Sequence, residues 1–260
     1  MSVVRIRERL LRRRDSLVPS AAADWLVRGP DEFRRSGEQL VALAEADAGL
    51  GPGSRVLDAG CGWGRVARPL TRVLAGADGG SYDGFDVDGE AVGWCSERYA
   101  AHPEFAFAEI DVVNARYRPQ ATGRASECTF PYPDAGFDVV FACALLTHLV
   151  TAEAARYLRE LARVLAPGGR AVVTLLLLDH SSRAAVTRGD APFSLRLDAA
   201  AGPMSVLDPD LPEALVAYDR DWMLGESAAA GLTLASSADG SWRGSQAATF
   251  DDLLILERQR

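Results

Sequence analysis

An acid and three alternating glycines, Asp58-Ala59-Gly60-Cys61-Gly62-Trp63-Gly64, follow a short apolar strand expected over Arg55 to Leu57. The chemistry these residues offer is binding. Glycine has no Cβ, so a ligand can lie directly against the main chain. Behind the turn, Val66, Leu70 and Val73 fall on one face of an expected amphipathic helix. A strand, a glycine turn and a helix N-terminus in this order form the usual seat of a nucleotide-like cofactor in an α/β sheet. A tight turn with no ligand is the bland alternative.

Two cofactors compete for the turn. A dinucleotide fingerprint, Gly-x-Gly-x-x-Gly, needs its third glycine at position 65, which is Arg65 here. A pyrophosphate at the helix N-terminus also sits poorly beside the carboxylate of Asp58. An acid suits a cofactor with a cationic amino-acid group, and S-adenosylmethionine is one. Here the chain resembles the class I S-adenosylmethionine-dependent methyltransferases, whose first motif is an acid followed by Gly-x-Gly-x-Gly. Asp58, Gly60, Gly62 and Gly64 match that motif one by one, with Cys61 inside it.

Further acids stand where such a unit needs them. A second strand, Tyr82 to Val87, carries Asp86, 22 residues beyond Gly64. An acid about 20 residues after the glycines accepts hydrogen bonds from ribose hydroxyls, each such charged contact contributing roughly 1.5–3 kcal/mol. Asp88 competes for that role, and both acids could instead cap the next helix. The alternation of Phe105 to Asp111 predicts strand three. The resemblance implies that Asp111 holds the adenine amine, with Val112 as the neighbouring backbone contact. Phe137 to Ala142 resembles the fourth motif, a central strand whose end flanks the methyl group. Thr151 is expected to cap a helix over 152–165 that Pro167-Gly168-Gly169 stops, and Arg170 to Leu178 reads as a strand covered on both faces.

Composition limits the other readings. The 260 residues allow one large α/β domain, or one with an elaborated cap. No apolar run approaches the roughly 20 residues of a membrane helix, and the N-terminus has no signal-peptide core, so a soluble cytoplasmic protein is expected. Cys61, Cys95, Cys128 and Cys143 lack metal-ligand spacing and predict buried, reduced thiols, with no metal. A net charge of −8 argues against a broad nucleic-acid surface. All 28 basic residues are arginine, which reads as coding bias and lowers the weight of the cluster Arg5 to Arg14. That cluster is expected in a terminal helix packing on the domain or on a second subunit, as in a homodimer.

Three parts follow: an N-terminal helical cap over 1–50, a cofactor domain over 51–260, and within it a lid or acceptor insertion over 179–218, where prolines are frequent and periodicity is poor. The fold class expected is a Rossmann-like, doubly wound, seven-stranded sheet with a final antiparallel strand. Helix Asp219 to Ala230 and strands Leu232 to Ala235 and Phe250 to Glu257 close it. Trp25, Leu26 and Phe33 are the cap residues expected over the cofactor. Trp94 is expected either beside the adenine or against Phe85.

The reaction expected is methyl transfer from S-adenosylmethionine to a small-molecule acceptor, leaving S-adenosylhomocysteine, with a hydroxyl oxygen as the acceptor atom and secondary metabolism as a setting. A hydroxyl must lose a proton, and a placed base gives about 10²–10⁴-fold. Of His102, His148 and His180, His148 lies just past strand four and is the candidate base; a backbone-bonded capping histidine is its bland counterpart. Phe33, His180, Tyr218 and Trp242 are the candidate acceptor pocket, with Trp222 nearby. Phe130-Pro131-Tyr132-Pro133-Asp134, Thr147-His148-Leu149 and Gly240-Ser241-Trp242-Arg243-Gly244 resemble the bacterial small-molecule enzymes of the methyltransferase type 11/12 kind. The Gly-Cys-Gly-Trp-Gly core is also similar to lipid-modifying cyclopropane fatty acid synthases. The alternatives are a non-catalytic or repurposed S-adenosylmethionine-binding protein, a nitrogen, carbon or lipid methyltransferase, and an NAD-dependent oxidoreductase disfavoured by Arg65 and Asp58.

Overall fold

A parallel strand covered by helices on both faces must be apolar at almost every position. The runs at 55–59, 137–143 and 171–178 meet that demand, with nearly every residue buried. The computed structural model describes residues 15–19, 29–74, 79–115, 117–197 and 202–260. Its elements in chain order are α1 (Pro30–Asp47), β1 (Arg55–Ala59), α2 (Ala67–Val73), β2 (Ser81–Asp86), α3 (Gly89–Arg98), β3 (Phe105–Glu109), β4 (Phe137–Cys143), α4 (Thr151–Val164), β5 (Leu165–Leu178), α5 (His180–Arg188), β6 (Met204–Val206), β7 (Val216–Asp219), α6 (Arg220–Ala229), β8 (Leu232–Ala238) and β9 (Asp252–Arg258). The arginine cluster 5–14, Trp25 and Leu26 lie outside the described residues.

The sheet is doubly wound. Strands β3, β2, β1, β4 and β5 are parallel neighbours in that order. β9 runs antiparallel to β5, and β8 antiparallel to β9. This is the expected seven-stranded arrangement with its final antiparallel strand. Alternate residues of each strand face opposite layers. Val56, Val139, Phe141 and Val172 pack with α1, α2 and α3. Leu57, Val140, Ala142 and Val173 pack with α4 and α6. On α4, Ala154, Tyr157, Leu158 and Leu161 form the buried stripe; truncating Leu158 to Ala would cost about 2–5 kcal/mol.

Two local expectations change. Thr151 is the first helical residue rather than the cap, which is Val150; its backbone N–H donates to Glu153 at 2.9 Å. The segment 179–218 is not a stretch without elements. It holds α5 and adds β6 and β7 to the sheet, making nine strands.

That addition requires β5 to change partner. Leu175 is the last residue paired with β9, opposite Asp252, and Leu176 is the first paired with β7, opposite Ala217. At the fork, the Leu177 N–H loses a strand partner and donates instead to the Asp252 carboxylate at 2.7 Å. The same carboxylate accepts from Gly240 N, Trp242 Nε1 and Arg243 Nε at 2.7, 2.9 and 2.7 Å. Arg243 also reaches Asp179, the N-cap of α5, at 2.6 Å. Trp242 is fully buried in this cluster, stacked on Phe193. The cluster is structural, so Trp242 does not belong to an acceptor pocket.

Asp252→Ala strands four donors in an interior site and leaves the Arg243 charge to Asp179 and the more distant Asp239. Breaking such a buried pair costs about 3–5 kcal/mol, and urea denaturation should show a loss of that size.

Candidate active site

A cleft opens at the carboxyl ends of β1, β2 and β4, where open α/β sheets place their ligands. Its empty space, open mouth included, is about 1170 Å³. The turn after β1 forms its floor. Gly60, Gly62 and Gly64 have φ of 78°, 48° and 79°, a region that L side chains rarely occupy. Gly60 and Gly62 face the cleft. Gly64 does not: a Cβ there would meet Cys95 Sγ and Tyr99 Oη at 3.2 Å, so its task is close packing against α3 and its end.

Asp86, at the end of β2, fastens the turn. Its Oδ2 accepts from Gly62 N at 2.7 Å and its Oδ1 from Asp88 N at 3.0 Å. Burial pushes its carboxyl pKa up, and these donors oppose the rise. A carboxylate oxygen accepts more than one hydrogen bond, so Asp86 keeps capacity for ligand hydroxyls in the cleft it lines. Asp88 caps α3, accepting from Glu90 N and Ala91 N. Val87, Ile110 and Val112 add apolar walls. Asp111 points outward between the last two, half-exposed, accepting from Thr122 Oγ1 at 2.6 Å and pairing with Arg118. Successive residues of an extended chain face opposite ways, which removes the Asp111 side chain from this cleft.

Asp58 lies behind the floor rather than in it. It is buried and accepts from Tyr82 Oη at 2.9 Å. Burial raises its pKa to about 7, against the lowering effects of Tyr82 and Arg65. Arg65 lines the cleft, near enough to Asp58, Asp251 and Cys143 to lower the pKa of each. Cys61 and Cys143 also line it, and burial pushes both thiols up. All four cysteines are buried and free. Among the described residues, no cluster of His, Cys, Asp and Glu could hold a metal.

The far wall follows β4. Ala142 is buried within the strand, and Cys143, Ala144 and Leu145 reach the cleft instead. Ala144 holds φ at 59°, a conformation that costs a non-glycine residue about 1–3 kcal/mol and collects at functional sites. Hydrogen bonds from Ala144 N to Thr174 hold it there. The next turn places His148 at the cleft. Its Nδ1 lies 2.9 Å from the Glu213 carbonyl oxygen. A carbonyl only accepts, so Nδ1 carries a proton, and whenever the ring is neutral its lone pair is on Nε2. Nε2 is 3.4 Å from Tyr117 Oη, and Asn114 Nδ2 donates to the His148 carbonyl at 3.3 Å. The carbonyl-bonded capping arrangement and the position at the cleft are thus both present in one residue.

Phe33, buried on α1, lines the cleft. A Cβ on Gly37 would come within 2.1 Å of Arg65 O, so glycine lets α1 lie against the turn. Tyr218 is not a pocket residue. Its buried hydroxyl donates to the carbonyls of Leu146, at 2.6 Å, and Leu149, fastening the His148 turn to β7. Trp222 stacks on Tyr218 at 5.5 Å. His180 is exposed at the start of α5 and does not line the cleft, and neither does His102, which pairs with Glu104. Trp94 packs against Trp63, itself a lining residue, at 5.8 Å. Trp63 and Arg65 stand inside the glycine motif but were not among the expected site residues; their place next to the glycines was the signal available. Asn114 and Tyr117, on an irregular segment, carry no local signal.

Residues 57–173 match a family described as methyltransferase domain. A relative from Amycolatopsis mediterranei, 27-O-demethylrifamycin SV methyltransferase, is 34% identical over 57% of this chain and 49% of its own length. The chain thus spans about half of that relative. A Pyrococcus horikoshii protein superposes with a TM-score of 0.61 at 15% identity, covering 92% of this chain and 96% of that one. The Burkholderia thailandensis 1,6-didemethyltoxoflavin-N1-methyltransferase, solved with S-adenosylhomocysteine, gives 0.59 at 16%, covering 92% and 85%. Residues 57–173 are thus similar to a methyltransferase domain, and the chain shares the fold of these two solved structures. The residues in the cleft fit the cofactor that the sequence resemblance implies, S-adenosylmethionine: a bare glycine floor, the acid Asp86 with spare acceptor capacity, an apolar slot and the cation of Arg65.

The raised pKa of Asp58 has a consequence for stability. Its folded form holds a proton that the unfolded chain releases near 3.9, so its contribution falls as pH rises from about 4 to 7 and is constant above. Asp58→Asn removes this dependence. In denaturation curves at pH 5 and pH 8, the variant should gain relative to the native protein by a few kcal/mol at the higher pH, at about 1.4 kcal/mol per pKa unit.

Proposed function

We propose that this protein transfers the methyl group of S-adenosylmethionine to a small molecule, with a hydroxyl oxygen as acceptor and His148 as general base. The observation that carries the reading is that one cleft joins the glycine turn and Asp86 to His148, Tyr117 and Asn114. Bound S-adenosylmethionine supplies an electrophilic methyl carbon on a sulfonium.

The chain's own residues supply the rest. Asp86 accepts the ribose hydroxyls, Val87, Ile110 and Val112 cover the base, and Arg65 attracts the amino-acid carboxylate. Leu149, Tyr157 and Val113 offer the acceptor an apolar seat beside the polar group. His148 Nε2 would take the proton of the acceptor hydroxyl, and the charge on the resulting imidazolium would be met by the Glu213 carbonyl. Holding the reactants in line supplies about 7–11 kcal/mol of the barrier reduction.

The cap is α1 with Phe33, and the insertion over 179–218 backs the His148 turn through Glu213 and Tyr218. No helix among the described residues is long and apolar enough to cross a membrane, which supports the cytoplasm as the compartment. The name of the Amycolatopsis relative, whose substrate is 27-O-demethylrifamycin SV, supports oxygen as the methylated atom and secondary metabolism as the setting.

Two measurements test the reading. Calorimetric titration should show S-adenosylmethionine and S-adenosylhomocysteine binding, weakened by about 1.5–3 kcal/mol in Asp86→Ala; unchanged binding removes Asp86 from the site. Once an acceptor is found by its dependent release of S-adenosylhomocysteine, His148→Ala should lower turnover about 10²–10⁴-fold with cofactor affinity kept. Turnover near the native rate would leave proximity alone as the catalyst.

A further inference from the structure

The insertion meets the site at one residue in particular. Pro212–Ala214 forms a single turn just before β7, and Glu213 at its centre makes two contacts to different segments. Its carbonyl accepts from His148 Nδ1 at 2.9 Å. Its side-chain Oε2 accepts from Ala115 N at 2.7 Å. Ala115 follows Asn114, whose Oδ1 accepts from Tyr117 N at 3.0 Å and whose Nδ2 donates to the His148 carbonyl at 3.3 Å. The loop is therefore closed: Glu213 to Ala115, Asn114 to His148, His148 to Glu213.

We infer that Glu213 is a positioning residue for His148. Its carboxylate latches the turn 212–214 to the cleft wall after β3, and its carbonyl, held there by the latch, decides that Nε2 rather than Nδ1 faces the acceptor. This rests on the reading of His148 as the base only for its catalytic consequence. The geometric half stands on the hydrogen bonds alone. Free histidine prefers the proton on Nε2, so the native tautomer is one that the protein imposes. Release of the turn returns the ring to the tautomer whose cleft-facing nitrogen has no lone pair. The native arrangement also matches the task of general-base catalysis, in which one ring nitrogen is oriented so that the other accepts a proton.

Nitrogen-15 spectra of the histidine side chains, with His148 assigned by His148→Ala, read the tautomer directly. In native protein the Nδ1–H form should dominate. In Glu213→Ala the signals should shift to the Nε2–H form, and kcat should fall at least about tenfold, short of the roughly 10²–10⁴-fold lost with the base itself, with the affinity for S-adenosylmethionine unchanged. Glu213→Gln keeps an acceptor oxygen and should restore both. Ala115→Pro deletes the donor from the other side of the latch and should reproduce the Glu213→Ala spectrum. A Glu213→Ala or Ala115→Pro protein whose His148 spectrum matches native would overturn the inference. A tautomer shift in Glu213→Ala combined with native turnover in His148→Ala would instead keep the latch and remove His148 as base.

Discussion

The arrangement depends on the change of partner along β5. A strand can pair with only one neighbour per edge at each residue, so an insertion joins the sheet here only if β9 gives way. β9 does so at Asp252, whose carboxylate takes the place of the missing strand for Leu177 N and collects Gly240, Trp242 and Arg243 around it. The upper half of the edge is thereby open to β7. With β7 come Tyr218, which grips the His148 turn, and Glu213 just ahead of it. A buried structural carboxylate thus governs the geometry of a cleft it does not line.

The glycine-floored half of the cleft rests on a different economy of parts. The turn after β1 exposes main chain because its glycines adopt positive φ, and Asp86 ties that turn to β2 through Gly62. One carboxylate therefore shapes the floor and offers acceptor capacity to a ligand. Its neighbour Asp58 plays a supporting part, buried behind the floor with Tyr82. Low dielectric surroundings strengthen each of these contacts relative to water and raise the penalty for any left unmade.

Many activities share this fold, so function must be argued from the site. The neighbours at 15% and 16% identity establish architecture; the chemistry rests on the polar group after β3 and β4 and on the strained Ala144 ahead of His148. Ala144 turns the chain sharply at the carboxyl end of β4, so Leu145, His148 and Leu149 all reach the cleft from one short segment.

Much of this was written in local spacing. The glycine turn, Asp86 at its interval beyond it, the apolar central strands and the stripe on α4 all follow from short-range periodicity, because strands and helices impose repeats of two and 3.6 residues. The alternation that places Ile110 and Val112 inward also turns Asp111 outward, although the family resemblance pointed to Asp111. The tertiary structure alone decided the rest. Tyr218 and Trp242 are aromatic residues after a proline-rich segment, and no local pattern distinguishes a pocket wall from a buried fastening. His148 and Glu213 lie 65 residues apart, and their contact exists only because β7 pairs with the end of β5. Sequence by itself determined which segments form the floor of the cleft, since that floor uses one turn and one strand end. The wall around His148 was left to long-range strand pairing, because its residues meet only after the sheet has chosen its neighbours.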